Sequence, residues 1–288
     1  MVISLYTEKC KYNCAFCDIA SHSSSGHVTG SDINSQMDFV IDSYYNQLNQ
    51  IEQVSIGNEG SILDGVTLPL ESLYYILDKL SWFEKLQVLS LETRPEYLND
   101  AILQDIIDRT DIPVVDVTVG FETQNDQIRN GQLHKGISRE LFEEKAAVLG
   151  KLGIRLTAYV MLKPGFDMTE KEGVEEACAT LHYLHRLCKK CKTNLIVYLN
   201  PTYIAKNSRL KECMEKSHYM PPKIQSVLKV LLEAEKLNIP IYTGLSSESL
   251  CMENGDFKAH RDFDRNIFNA VRQFNKNQDY AVLHNFII

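Results

Sequence analysis

The sequence predicts an α/β fold, a complete or partial β/α barrel, and three observations predict it. Seven short apolar runs alternate with longer amphipathic segments. The alternation is strict, which calls for a parallel sheet with helical crossovers. Six or seven such units are enough to curl a sheet into a barrel or most of one, with chemistry at the C-terminal strand ends. A doubly wound open sheet is the alternative. At 288 residues with 44% apolar content, the chain has the material for a sizeable core.

The first strand is VISLY (2–6), and the polar stretch SHSSSGHVTGSD (21–32) reads as a loop. A helical pattern over 35–50 leads to QVSIG (53–57), and one over 70–82 leads to LQVLSLE (86–92). Asn99 is placed to cap a helix over 99–109, which is followed by VVDVTVGFE (114–122). A helix over 138–152 precedes RLTAYVML (155–162). Thr169 and Glu172 have capping-box spacing at the start of a helix over 169–190, before NLIVYLN (194–200). The pattern over 223–237 leads to IPIYTG (239–244). Beyond about residue 245 the reading is a loop, a helix near 263–276, and YAVLHNFII as a last strand.

The formal net charge of −8, with a pI near 5.5, gives no overall basic field of the kind that drives non-specific nucleic-acid binding. A local basic patch is still compatible with it. MVISLYTEKC has no charged region followed by an apolar run, and no window reaches the ~18 apolar residues of a membrane span. The expectation is a cytoplasmic protein with no membrane partner. Eight cysteines without a secretory signal point to reduced thiols or metal ligands before disulfides.

Three of these, Cys10, Cys14 and Cys17, fall within CKYNCAFCD, in the loop leaving the first strand. Three soft ligands so close together have three readings. They are buried cysteines packed by chance, three ligands of a structural zinc whose fourth lies elsewhere, or an iron–sulfur cluster with one iron left open for a ligand. Structural zinc usually comes as paired C-x2-C units, and no second unit follows within reach.

CKYNCAFC, with Phe16 immediately before the third cysteine, resembles the signature of the radical S-adenosylmethionine (SAM) superfamily. The resemblance implies a partial (β/α)6 barrel over residues 1–245, with a short C-terminal extension over 246–288 packed on it. It implies a [4Fe–4S] cluster on Cys10, Cys14 and Cys17, SAM bound at the open iron, and reductive cleavage to methionine and a 5′-deoxyadenosyl radical. An electron donor such as flavodoxin or ferredoxin is then a partner. GNEGS, comprising Gly57, Asn58, Glu59 and Gly60, stands where that family has a glycine-rich turn receiving the SAM amino group. LETRPEYL and VGFETQNDQIRNGQLHKG resemble the branch of coproporphyrinogen dehydrogenase, the methylthiotransferases and the Elongator subunit. By that resemblance Glu92 and Glu122 contact the methionine and ribose parts of SAM, Lys135 approaches its carboxylate, and Asn200 in YLNPTY meets the adenine edge. Arg94 either orients Glu92 or is a surface charge. Lys163 in LKPGF either faces the substrate or lies in solvent, the commoner place for a lysine before a turn. Within the branch, these phrases with YVMLKPGF and LNPTYI are similar to the enzymes that complete archaeosine on tRNA.

That similarity implies a tRNA substrate, and a basic strip of Arg186, Lys189, Lys190 and Lys192 with Lys206 and Arg209 would contact it. The acidic balance favours a small metabolite or peptide instead. A non-catalytic iron–sulfur protein and a zinc-stabilised interaction module are the readings from other classes. CKKC (188–191) and the His182/His185 pair have metal-binding spacing, with buried or surface side chains as the default.

Overall fold

The computed structural model describes residues 1–217, 219–245 and 250–286. Seven strands form one sheet in the order β1-β2-β3-β4-β5-β6-β7, every pairing parallel. They are β1 (Val2–Leu5), β2 (Gln53–Asn58), β3 (Val88–Thr93), β4 (Val114–Glu122), β5 (Arg155–Leu162), β6 (Leu195–Pro201) and β7 (Ile241–Thr243). The sheet curls into a half-barrel. Both edge strands have a single neighbour, so the barrel is partial and one side of it is open.

The helices are α1 (Gly30–Tyr44), α2 (Leu70–Lys79), α3 (Asp100–Arg109), α4 (Arg139–Leu152), α5 (Glu170–Cys191), α6 (Arg209–Ser217), α7 (Ile224–Leu237), α8 (Arg265–Asn277) and α9 (Ala281–His284). The expected caps are present. Asn99 accepts from Ala101 and Ile102 N–H, and Thr169 with Glu172 closes a capping box. Alternate strand residues, among them Ile3, Leu5, Val54, Ile56, Leu89, Leu91, Val117, Val119, Leu156 and Val160, are buried in the core under this helical layer.

The other strand face lines the lumen and is polar. By register Ser55, Ser90, Asp116 and Arg155 form one row, and Glu92, Thr118 and Thr157 form the next row toward the C-terminal mouth. Asp116, 1% exposed, accepts from Ser90 Oγ (2.7 Å), Thr157 Oγ1 (2.8 Å) and Arg155 Nε (2.7 Å). A closed β/α barrel fills its interior with branched apolar side chains. This open one satisfies a buried carboxylate there instead.

Three expectations are corrected. The first helix begins at Gly30, inside the stretch read as a loop, because Thr29 and Asp32 form a capping box. It gives way to a 3-10 turn, Tyr45–Gln50, before the expected end at 50. The segment 209–217, for which the sequence offered no element, forms α6. The described part of the expected last strand is instead α9, pairing with no strand: Asp279 caps Ala281 N–H at 3.0 Å and the Tyr280 ring packs 4.6 Å from that of Phe274. Residues 287 and 288 of that expected strand, residues 246–249 at the expected domain boundary, and the Cys213 side chain lie outside the described residues. Asn275 of α8 bonds Thr243 N–H and C=O, tying this helix to the end of β7.

Candidate cluster and cofactor site

The cysteine loop leaves β1 at the C-terminal mouth and is held from both sides. Ala15 N–H donates to Leu133 O (2.9 Å), in the loop after β4, and Leu210 N–H of α6 donates to Ala15 O (2.7 Å). The buried Asp18 carboxylate accepts from Ser21 Oγ (2.6 Å) and Asn207 N–H (3.3 Å). Phe16 wedges between two small apolar clusters, one around Ile204, Leu210 and Tyr219, the other around Ile128, Leu133 and Met161. The loop between β6 and α6 is therefore part of what holds the cysteines.

Cys10, Cys14 and Cys17 are free thiols, each half-buried. Burial pushes the Cys14 and Cys17 thiols up; Lys135 and Arg94 oppose this at Cys14, and the Ile19 N–H opposes it at Cys17. Each of the three interacts electrostatically with the other two. Among the described residues no three of His, Cys, Asp and Glu gather closely enough to hold a single metal ion. Sulfurs on one tetrahedral zinc stand about 3.8 Å apart, given bonds of about 2.3 Å. Three thiols on one loop, each within electrostatic reach of the other two, are a donor set that suits an iron–sulfur cluster.

Glu122 and Lys135 meet beside this loop. Lys135 Nζ lies 2.8 Å from Glu122 Oε1, and both residues are buried, at 9% and 4% exposure. Burial pulls the lysine down, yet Glu122 and then Cys14 outweigh it and hold its pKa above the ordinary value. Two local features place the pair. Glu122 has φ 68°, and Thr123 N–H donates to Phe121 O (2.9 Å), a three-residue turn with left-handed backbone at a non-glycine residue. The β4–β5 register slips at the same point. Such a conformation costs on the order of 1–3 kcal/mol and is found where the carboxylate's direction matters. Gly120 lies beneath, where a Cβ would come within 2.6 Å of Glu122 Oε1 and would also meet Lys135 Nζ.

The GNEGS turn follows β2. Gly60 N–H donates to Asn58 Oδ1 (3.1 Å), so Asn58 closes the turn on itself. A Cβ on Gly57 would meet Glu92 Oε2 at 3.5 Å, and one on Gly60 would meet Cys10 at 3.7 Å. Neither glycine has positive φ, so their role here is room and not backbone freedom. Glu59 turns toward Thr7, His22 and Ser23, with one carboxylate oxygen buried and unbonded. Glu92 projects into the lumen, exposed, and accepts from Tyr159 OH (3.4 Å). Burial, and next the Glu92 charge, keep the Tyr159 phenol protonated. Asn200 stands at the end of β6 with Oδ1 3.0 Å from where a Gly244 Cβ would be.

Three sequence expectations resolve differently. Arg94 is buried, and its bonds run to Glu96 Oε1 (2.5 Å) and Lys135 O (2.7 Å). Lys163 is buried at 5%, donating to Met220 O (2.8 Å) beneath the Tyr219 ring, because its left-handed backbone at the β5 exit turns it inward. The basic strip is divided. Arg186, Lys189, Lys190 and Lys192 sit where α5 ends ahead of β6, at the foot of the barrel, whereas Lys206 and Arg209 follow β6 at its mouth. Sequence reading missed Arg129, 0% exposed, which donates to Thr123 O (2.7 Å) and Ile137 O (2.9 Å) and pairs with Asp126. It braces the loop carrying Lys135, and its place in a single π-helical turn, Gln127–Gln132, leaves no sequence periodicity to signal it.

No family model matches the chain. An uncharacterised protein of Methanocaldococcus jannaschii is 27% identical, aligning over 99% of this chain and 78% of its own length. Archaeosine synthase subunit beta of Thermococcus kodakarensis is 25% identical over 81% of this chain and 69% of its own. Among solved structures, the Elp3 of Methanocaldococcus infernus superposes with a TM-score of 0.59 at 12% identity, over 96% of this chain. The chain spans 63% of that Elp3. Spore photoproduct lyase complexed with dinucleoside spore photoproduct gives 0.57 at 12% identity, over 83% of this chain and 74% of its own. Streptococcus suis SuiB bound to S-adenosylmethionine gives 0.53 at 11%, over 85% and 47%. No helix among the described residues is long and apolar enough to cross a membrane. The resemblance read from the sequence, to the radical SAM superfamily and within it to the archaeosine-forming enzymes, is borne out by these relatives, and the partial barrel is the fold the chain shares with the solved structures.

Proposed function

We propose that the chain is a radical SAM enzyme whose cluster is held by Cys10, Cys14 and Cys17 and whose SAM pocket is the adjoining mouth of the half-barrel. The observation that carries this reading is the buried Lys135–Glu122 pair, set by a strained strand end within electrostatic reach of Cys14. When bound there, a [4Fe–4S] cluster and SAM supply the one-electron cleavage that yields methionine and a 5′-deoxyadenosyl radical.

The chain's own residues have separable tasks. Lys135 and Glu122 hold each other at 2.8 Å, so a ligand bringing its own carboxylate and hydroxyls can take over both partners. Glu122 then accepts from ribose hydroxyls while Lys135 faces the carboxylate. The turn of Gly57, Asn58, Glu59 and Gly60 offers backbone to the amino group, and Glu92 gives it a carboxylate nearby. Asn200 presents donor and acceptor together, as an adenine edge requires. Phe16 and its apolar neighbours close the floor of the cysteine loop against water.

The finer reading is hydrogen abstraction from a nucleoside presented in tRNA. Its support is the similarity to archaeosine synthase subunit beta over most of the chain. Lysines and arginines at the mouth, Lys9, Lys11, Lys206 and Arg209, are then the phosphate contacts, and the group at the foot of the barrel is not. Salt-dependent tRNA binding tests this. Neutralising Lys11 and Arg209 should weaken binding and flatten the salt slope, while neutralising Lys189 and Lys190 should do neither. The net charge of −8 favours a second reading, a small metabolite or peptide substrate. Stimulation of SAM cleavage by such a compound and not by tRNA would establish it.

A further inference from the structure

Arg94 is the most connected charged group near the cysteines that the proposed mechanism leaves without a task. It is 7% exposed, at the exit of β3. Its own N–H donates to Ser61 Oγ (2.8 Å), in the segment after β2. Its Nη2 donates to Lys135 O (2.7 Å), next to Gly136, whose φ of 68° lets the chain turn there. Its guanidinium carbon lies 3.5 Å from the centre of the Tyr12 ring, and Tyr12 stands between Cys10 and Cys14. One side chain thus joins the cysteine loop to the backbone that carries the Lys135 ammonium.

Two further observations give the guanidinium a direction. Its Nε–H is buried with no hydrogen-bond partner, and so is the second carboxylate oxygen of Glu96. The Arg94–Glu96 contact at 2.5 Å therefore leaves the two-bond fork incomplete. Burial lowers the guanidinium's pKa, yet Glu96 and then Cys14 outweigh it and hold the pKa above its ordinary value, so the cation is kept beside the cysteine loop. A lysine would restore the charge but not the flat stack on Tyr12.

We propose that Arg94 is a positioning residue: it fastens the cysteine loop to the Lys135 backbone and places a fixed positive charge beside the iron–sulfur cluster. The assignment rests on the radical SAM reading above. A cluster on three thiolates becomes more negative when reduced, so a nearby fixed cation favours the reduced form and raises the potential.

The test uses the full chain, reconstituted anaerobically, as wild type, Arg94→Gln, Arg94→Lys and Tyr12→Leu. Iron content, midpoint potential by EPR-monitored titration and SAM affinity are measured for each. Arg94→Gln should keep its iron, show a lower potential and bind SAM at least several-fold more weakly. Arg94→Lys should recover the potential but not the SAM affinity, a split that a merely structural role would not produce. Tyr12→Leu, which leaves the buried arginine in place, should release iron to chelators faster and thus tests the stack should Arg94→Gln fail to fold. Iron-loaded Arg94→Gln with unaltered potential and SAM affinity would overturn the assignment and leave the radical SAM reading intact. A wild-type chain that takes up no cluster would overturn both.

Discussion

Lys135 Nζ sits 2.8 Å from Glu122 Oε1 over the one position, Gly120, where strand β4 has no side chain. The three residues form a unit: a bulged strand end aims the carboxylate, a braced loop brings the ammonium, and the glycine gives both their space. Removing one charge leaves the other buried and unpaired, which typically costs 3–5 kcal/mol. Lys135→Met should therefore destabilise the fold by roughly that amount, and adding Glu122→Gln should recover much of the loss. Urea denaturation of the singles and the double measures it. In the Glu122→Ala chain, SAM affinity should fall by roughly 1–3 kcal/mol while the cluster still assembles.

Gly120→Ala separates placement from stability. The atoms its methyl would meet are the ends of the Lys135 and Glu122 side chains, which can move aside. Global stability should fall by only about 1–2 kcal/mol, near the lower end for overpacking, while SAM binding falls as far as in Glu122→Ala. A destabilised Gly120→Ala chain with unchanged SAM affinity would mean that the pair is a structural element alone.

Arg129 is fully buried and holds the carbonyls of Thr123 and Ile137. Arg129→Met should cost about 1–3 kcal/mol for each of the two buried carbonyls it strands, whereas the exposed Asp126 carboxylate returns to water. Hydrogen exchange should localise the loosening to residues 123–137. Protection of β2 and β3 should persist near wild type.

Cys188 gives a prediction in alkaline solution. Burial in α5 pushes its thiol up to about 12, from an ordinary value of 9.0. The native state thus keeps a proton that the unfolded chain gives up, and stability from this group is complete below pH 9 and lost as pH rises toward 12. Cys188→Ala should show a shallower alkaline decline than wild type in urea midpoints between pH 8.5 and roughly 10.5. Cys188 should also resist alkylation more than Cys191, and replacing both should leave the iron content unchanged.

The strands were legible because their helix-facing residues are apolar at every second position, as at Val115, Val117, Val119 and Phe121, and Thr169 and Asn99 announced their helices by capping chemistry. Asp116 was not legible as a lumen residue, since only the open side of a partial barrel explains a carboxylate in the middle of a strand. YAVLHNFII misled because its apolar alternation suits a strand, whereas Asp279 and Tyr280 turn it into a short helix packed on α8. At the site, the cysteine spacing carried its own message. The exits of β4 and β5 did not, because their direction depends on left-handed backbone at Glu122 and Lys163, residues whose type gives no sign of it. The division of the basic strip follows from topology alone: residues 186–192 and 206–209 are near in sequence but separated by the full length of β6.

Radical SAM chemistry on these three cysteines is tested by reducing the anaerobically reconstituted chain in the presence of SAM and assaying 5′-deoxyadenosine. Wild type should release it, SAM should perturb the cluster's spectrum beforehand, and replacing Cys10, Cys14 or Cys17 with alanine should abolish both. A chain isolated under strict anaerobiosis with zinc and no iron, releasing no 5′-deoxyadenosine after reconstitution, would contradict it.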